Sequence, residues 1–111
     1  MALFSLTTHD RIRKSTEFER AFKNGKRRTA GPLLVYSVES EIPCPRIGFS
    51  IPKRVGNAVK RNKIRRRCRE AFRLMKKELP SNLDIVVSVR PHDALGVEAY
   101  QELIASGVGL K

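Results

Sequence analysis

Protein side chains that hydrolyse a phosphodiester need clustered carboxylates to hold metal ions, or a general base within reach of a nucleophile. The chain offers neither pattern: its 11 acidic residues are scattered and show no DxD or ExxH spacing. His9 and His92 are far apart, each with only a neighbouring Asp (Asp10 and Asp93), and read as surface residues. Cys44, beside two prolines, and Cys68 lack CxxC spacing, so they read as ordinary thiols and form no zinc or disulfide framework. Neither Gly48 nor Gly56 begins a GxxxxGK phosphate loop. No catalytic residue and no metal ligand set can be named from these residue types.

The remaining chemistry is cationic. From Lys53 to Lys77 there are twelve Lys or Arg and one acid, Glu70, a net +11 of the chain's +12. The other 86 residues carry 11 basic against 10 acidic side chains. A solvated helix face normally has opposite charges at i+4, and here they are missing, so like-charged neighbours each cost about 0.2–0.5 kcal/mol. A near-neutral body with one intensely positive element is suited to a polyanion, and nucleic acid is the commonest at such charge density. Glu70 has Arg66, Arg67, Arg69 and Arg73 within helical reach, which favours a structural ion pair over catalysis.

A chain of 111 residues with 41% hydrophobic content forms one small domain over residues 1–111, with 1–10 as a flexible, extended arm. Its apolar runs fall well short of the roughly 20 residues that cross a bilayer. Met1 to Leu6 is too short for a secretory core and has no basic stretch ahead of it, so a cytoplasmic address is expected.

The elements follow from period and punctuation. Thr16 and Glu19 have capping-box spacing, with Ser15 as a competing N-cap, for a helix to Asn24 stopped by Gly25. Phe18 and Phe22 share one of its faces. Strands are expected over Leu33 to Ser40 and Arg46 to Ile51, paired antiparallel across a turn with two prolines. Leu34, Tyr36 and Val38 share one face of the first, and Ile47, Phe49 and Ile51 one face of the second.

A long helix from Ala58 to Glu78, capped by Val55-Gly56-Asn57, carries the apolar stripe Ile64, Cys68, Ala71, Phe72, Met75 and Leu79. Asn62, Arg66, Arg69, Arg73 and Lys77 fall on its opposite face as a positive ridge. A third strand, Asp84 to Arg90, follows the helix and is expected to pair parallel with an earlier strand. A short helix from Val97 to Ala105 ends before Gly107 and Gly109. Phe18 and Phe22 at helical spacing are more often core than recognition, and Tyr36 is ambiguous; were the three rings to line a groove, a single-stranded base stacked on them would gain about 1–3 kcal/mol.

KRVGNAVKRNKIRRRCR, from Lys53 to Arg69, resembles the RNR signature of the bacterial ribonuclease P protein subunit. RIRKSTEFERAFKNGK at Arg11 to Lys26, RIGFSIPKRVGNAV at Arg46 to Val59 and DIVVSVRP at Asp84 to Pro91 are similar to the flanking blocks, so the likeness runs from about Arg11 to Leu103. It implies an α+β, two-layer sandwich in α-β-β-β-α-β-α order. The sheet would be small and mixed, about four strands, with a left-handed βαβ crossover like that of the second domain of a small-subunit ribosomal protein. The strand missing from the periodicity reading would fall between Lys26 and Leu34.

The resemblance also implies a division of labour. The RNA subunit hydrolyses precursor tRNA at its 5′ end with Mg2+ held mainly by RNA, while the protein binds no cofactor of its own. Lys53, Arg54, Arg61, Asn62, Arg65, Arg66 and Arg69 match the family's contact with the RNA subunit. Phe18, Phe22, Tyr36, Ser50 and Lys53 match its cleft for the single-stranded 5′ leader. Arg11 and Arg13 match its basic N-terminal region, and Arg73 adds general attraction. The expected partners are the ribonuclease P RNA and precursor tRNA, with no membrane or DNA, for a protein monomeric without RNA. A non-catalytic ribosomal or general RNA-binding protein of the same architecture is the alternative, and an autonomous nuclease is disfavoured by the scattered acids.

Overall fold

The computed structural model describes residues 11–110, so the arm expected over residues 1–10, with His9, lies outside the described residues. The element order is α1 (Ser15–Asn24), β1 (Lys26–Ala30), β2 (Leu33–Glu39), β3 (Arg46–Ser50), a 3-10 turn (Lys53–Val55), α2 (Ala58–Met75), a second 3-10 turn (Lys76–Glu78), β4 (Leu83–Val89) and α3 (Val97–Gly107). The four strands form one mixed sheet in the order β1-β2-β4-β3. This is the α+β architecture expected, with the extra strand between Lys26 and Leu34.

One expected pairing is overturned. β2 and β3 are not neighbours: β4 lies between them, antiparallel to β2 and parallel to β3. The reason lies in β4, whose Ile85, Val86, Val87 and Val89 are all buried and need cover on both faces, which only a central position supplies. The link carrying Pro43 and Pro45 is accordingly a connection rather than a hairpin turn. The parallel β3–α2–β4 unit is as the strand-helix-strand order requires.

The alternation of each strand divides the core. Leu33, Val35, Ile47, Ile85, Val87 and Val89 pack against α2 and α3, with Ile64, Cys68, Phe72, Met75, Tyr100 and Ile104. Cys68 is fully buried, and burial pushes its thiol up to about 12, as suits an inert core thiol. On the other face Val86 packs with Ile12 and Ala21, joined by Phe18, Tyr36 and Val38. Three helices thus clothe the sheet, α2 and α3 on one face and α1 on part of the other.

Helix ends are set locally. Asn57 accepts a hydrogen bond from the Lys60 N–H at 2.9 Å and starts α2. α1 begins two residues earlier than the Thr16–Glu19 box predicts: Lys14 is its N-cap, and its backbone N–H donates to Glu17 at 3.4 Å. A lysine side chain has no acceptor, so only this half of a capping box exists. α3 runs through Gly107 instead of stopping before it, because Gly107 is where the helix lies flush on Val35 of β2. His92 bridges the Arg90 carbonyl (2.8 Å) and the hydroxyl of buried Tyr100 (2.7 Å), a packing role no spacing revealed.

Candidate nucleic-acid interface

Two surfaces bring the singled-out residues together. The first is the exposed side of α2, where an open depression of about 770 Å³ is lined by Arg11, Asn62, Arg65, Arg66, Arg67, Arg69, Glu70 and Arg73, with Val97 of α3 at its margin. The burial of Ile64, Cys68, Phe72 and Met75 on the opposite side fixes which arginines face outward.

The ridge is not uniform. Arg61 donates from Nε to the Gly56 carbonyl at 3.1 Å, and Arg65 donates to Asn62 Oδ1 at 2.7 Å, so each is held rather than free to roam. Arg67 donates to the Leu95 carbonyl at 2.8 Å and ties α2 to the loop before α3. Arg73 is bidentate to Glu70, with its Nε at 2.7 Å, which neutralises most of its charge locally. Arg66, Lys53 and Arg54 are exposed and make no side-chain hydrogen bond or ion pair among the described residues.

Arg11, Arg65 and Arg69 form the most demanding cluster. Residues 11 and 12 run beside β3, with an Arg11–Ile47 bridge and an Ile12 N–H bond to the Ile47 carbonyl at 3.1 Å. That brings Arg11 to α2, while the Arg69 guanidinium lies 5.8 Å from the Phe49 ring centroid. Nε of both Arg11 and Arg69 is buried with no hydrogen-bond partner. Burial, then the charges of Arg11 and Arg65, push the Arg69 pKa down, although an arginine remains cationic at neutral pH. Unmatched, part-desolvated guanidinium groups are what a phosphate oxygen would satisfy.

The second surface is the α1 side of the sheet. Register sets Arg46, Asp84 and Val38 in one row, Gly48, Val86 and Tyr36 in the next, and Ser50, Ser88, Leu34 and Thr29 in the third. α1 covers the first two rows. The Phe18 ring sits on Gly48, where a Cβ would come within 2.8 Å of it. Phe22, 42% exposed, meets Tyr36 edge-on at 4.8 Å between centroids and lies 6.5 Å from Phe18. The third row is left as the floor of a trough beside the rings. Leu34 there is apolar yet joins neither core cluster.

The structure therefore gathers Phe18, Phe22 and Tyr36 beside the row of Ser50, with Lys53 three residues past Ser50. Arg13 is exposed just before α1. The sequence reading missed Arg46, which is buried against Asp84 and Glu17; the signal available was an Arg and an Asp at inward positions of two adjacent strands. Among the described residues no three His, Cys, Asp or Glu side chains gather as a metal-ligating group. No described helix is long and apolar enough to cross a membrane.

Known proteins share this fold. The family model for ribonuclease P matches residues 6–106. A ribonuclease P protein component from Syntrophus aciditrophicus is 37% identical over 87 residues, covering 78% of this chain and 73% of the relative. One from Bacillus cereus is 41% identical over 81 residues, covering 72% and 70%. The solved RNase P protein of Staphylococcus aureus superposes with a TM-score of 0.79 at 33% identity, covering 91% of this chain and 94% of that one. That of Thermotoga maritima gives 0.76 at 28%, covering 86% and 92%. With the family model spanning nearly the whole described fold, the chain belongs to the ribonuclease P protein family, the protein component of a tRNA-processing ribonucleoprotein nuclease.

Proposed function

We propose that the chain binds the RNA subunit of ribonuclease P through the α2 ridge and the single-stranded 5′ leader of precursor tRNA through the trough beside α1. In this role it promotes endonucleolytic removal of the leader in the cytoplasm, as a monomer until it meets RNA. The observation that carries the reading is the pairing of an unneutralised guanidinium cluster, Arg11, Arg65 and Arg69, with a separate trough walled by aromatic rings. The first suits the phosphates of a folded RNA, the second unpaired bases.

On this reading no residue of the chain performs hydrolysis. Mg2+ held mainly by RNA would supply the activated water and charge stabilisation, and the protein contributes affinity by positioning substrate and neutralising phosphate charge. Cleavage of a precursor tRNA by a bacterial ribonuclease P RNA at low magnesium, with and without this protein, tests it. Stimulation is expected, and none would overturn it. Equal binding to unrelated structured RNAs without stimulation would instead mean a general RNA-binding protein. Cleavage by protein alone after RNA removal would mean an autonomous nuclease.

A further inference from the structure

The trough crosses the sheet, and its two ends are chemically alike. At the β3 edge stand the Arg11 segment, Lys53 and the α2 ridge. At the opposite edge is β1, which pairs only with β2 among the described residues. Of its three basic residues, Lys26 and Arg28 lie opposite Ser37 and Val35 and face the α3 side. Arg27 alone lies opposite Tyr36, on the face that bears the trough. Directly opposed side chains in an antiparallel pair stand about 4.5–5.5 Å apart at Cβ, so the Arg27 stem flanks the Tyr36 ring. Arg27 is exposed, and its side chain makes no hydrogen bond or ion pair among the described residues.

We propose that Arg27 holds a backbone phosphate of the leader at the edge of the sheet farthest from the RNA-binding ridge. This rests on the leader-trough reading and extends it. A leader entering past Lys53 and stacking beside Tyr36 and Phe22 has to cross three strand spacings, about 14 Å, before it reaches β1. Arg27 therefore senses leader length, and it grips only those leaders that span the sheet. The plain alternative is that a charged edge strand merely discourages strand-to-strand association. That role would make Arg27 indifferent to the leader.

The test is precursor tRNA binding to the assembled holoenzyme, comparing Arg27→Ala, Arg27→Lys and Tyr36→Ala on a long leader, a leader too short to cross the sheet, and mature tRNA. Arg27→Ala is expected to weaken the long-leader complex on the order of fivefold at low salt and to flatten its log-log salt slope by about 0.7. Arg27→Lys should keep most of the affinity, and the short-leader and mature complexes should not change, which also certifies the fold. Equal losses on all three RNAs, or none on the long leader while Tyr36→Ala weakens it, would overturn the Arg27 assignment and leave the trough standing. If Tyr36→Ala also leaves the long-leader complex unchanged, both the trough reading and the Arg27 assignment fall.

Discussion

Arg46 on β3 donates from Nε at 2.9 Å and from Nη2 at 2.7 Å to the two carboxylate oxygens of Asp84, its direct register partner on β4. Both residues are buried, and Nη1 of Arg46 turns to Glu17 of α1 at 2.8 Å. The trio clamps α1 to the sheet one row away from the contact between Phe18 and Gly48. The aromatic wall of the trough depends on that clamp for its position.

Removing one partner strands the other charge. Asp84→Ala is expected to cost about 3–5 kcal/mol in urea unfolding, whereas Arg46→Met with Asp84→Leu should cost less, because only the partly exposed Glu17 is then left without its partner. A double variant as unstable as the single one would show that the ion pair contributes beyond its own charge balance.

Acid should loosen the same clamp. Desolvation opposes ionisation of Glu17, but hydrogen bonds from Arg46 and from the backbone of Lys14 and Arg13 outweigh it and hold its pKa below the ordinary 4.5. A depressed carboxylate contributes stability in full above the unfolded value, and loses it as pH falls through the folded one. Melting temperature should therefore fall below about pH 4.5, and Glu17→Gln should make that acid limb shallower while lowering stability at neutral pH.

Gly107 has no room for a side chain: an added Cβ would lie 2.6 Å from Val35 Cβ. Val35 is β-branched and fully buried, so it cannot step aside. Gly107→Ala should destabilise by about 1–3 kcal/mol through overpacking, exceeding the helix-propensity gain of about 1 kcal/mol. In a Val35→Ala background, where both Cγ contacts go but the Cβ contact at 2.6 Å stays, the cost should shrink without vanishing, as a double-mutant cycle in denaturant would show.

Phe22→Ala or Tyr36→Ala should weaken precursor tRNA binding by about 1–3 kcal/mol for each base unstacked and leave mature tRNA binding nearly unchanged. Filter binding of the two RNAs to the holoenzyme reads this directly. Equal loss on both would make the rings purely structural.

The ridge should not respond uniformly. Arg66→Ala removes a free charge and should reduce affinity for the RNA subunit, with the salt slope shallower by about 0.7–0.9. Arg73→Ala should do much less, because Glu70 already occupies that guanidinium, and Glu70→Gln should raise affinity by releasing it. Equal effects at 66 and 73 would mean that RNA displaces Glu70.

Much of this was legible in local pattern. The stripe through Ile64, Cys68, Phe72 and Met75 fixed the ridge because a helix repeats every 3.6 residues, and alternation fixed which side chains of β2 and β3 share a face. β1 was hidden from periodicity, since Lys26 to Thr29 are exposed on both faces of an edge strand and carry no alternation. The order of the strands was hidden too, because pairing is chosen by burial of the whole of β4 and not by the nearest neighbour in sequence.

By itself the sequence determined where positive charge concentrates and which helix carries it, since charge and period are properties of adjacent residues. Tertiary structure decided which charges are free. Arg46 and Arg73 are matched by Asp84, Glu17 and Glu70, Arg11 joins Arg65 and Arg69 across the β3 edge, and Phe22 meets Tyr36 instead of entering the core. Such distinctions depend on contacts between residues far apart in the chain, and only the folded sheet with α1 and α2 on opposite faces creates them.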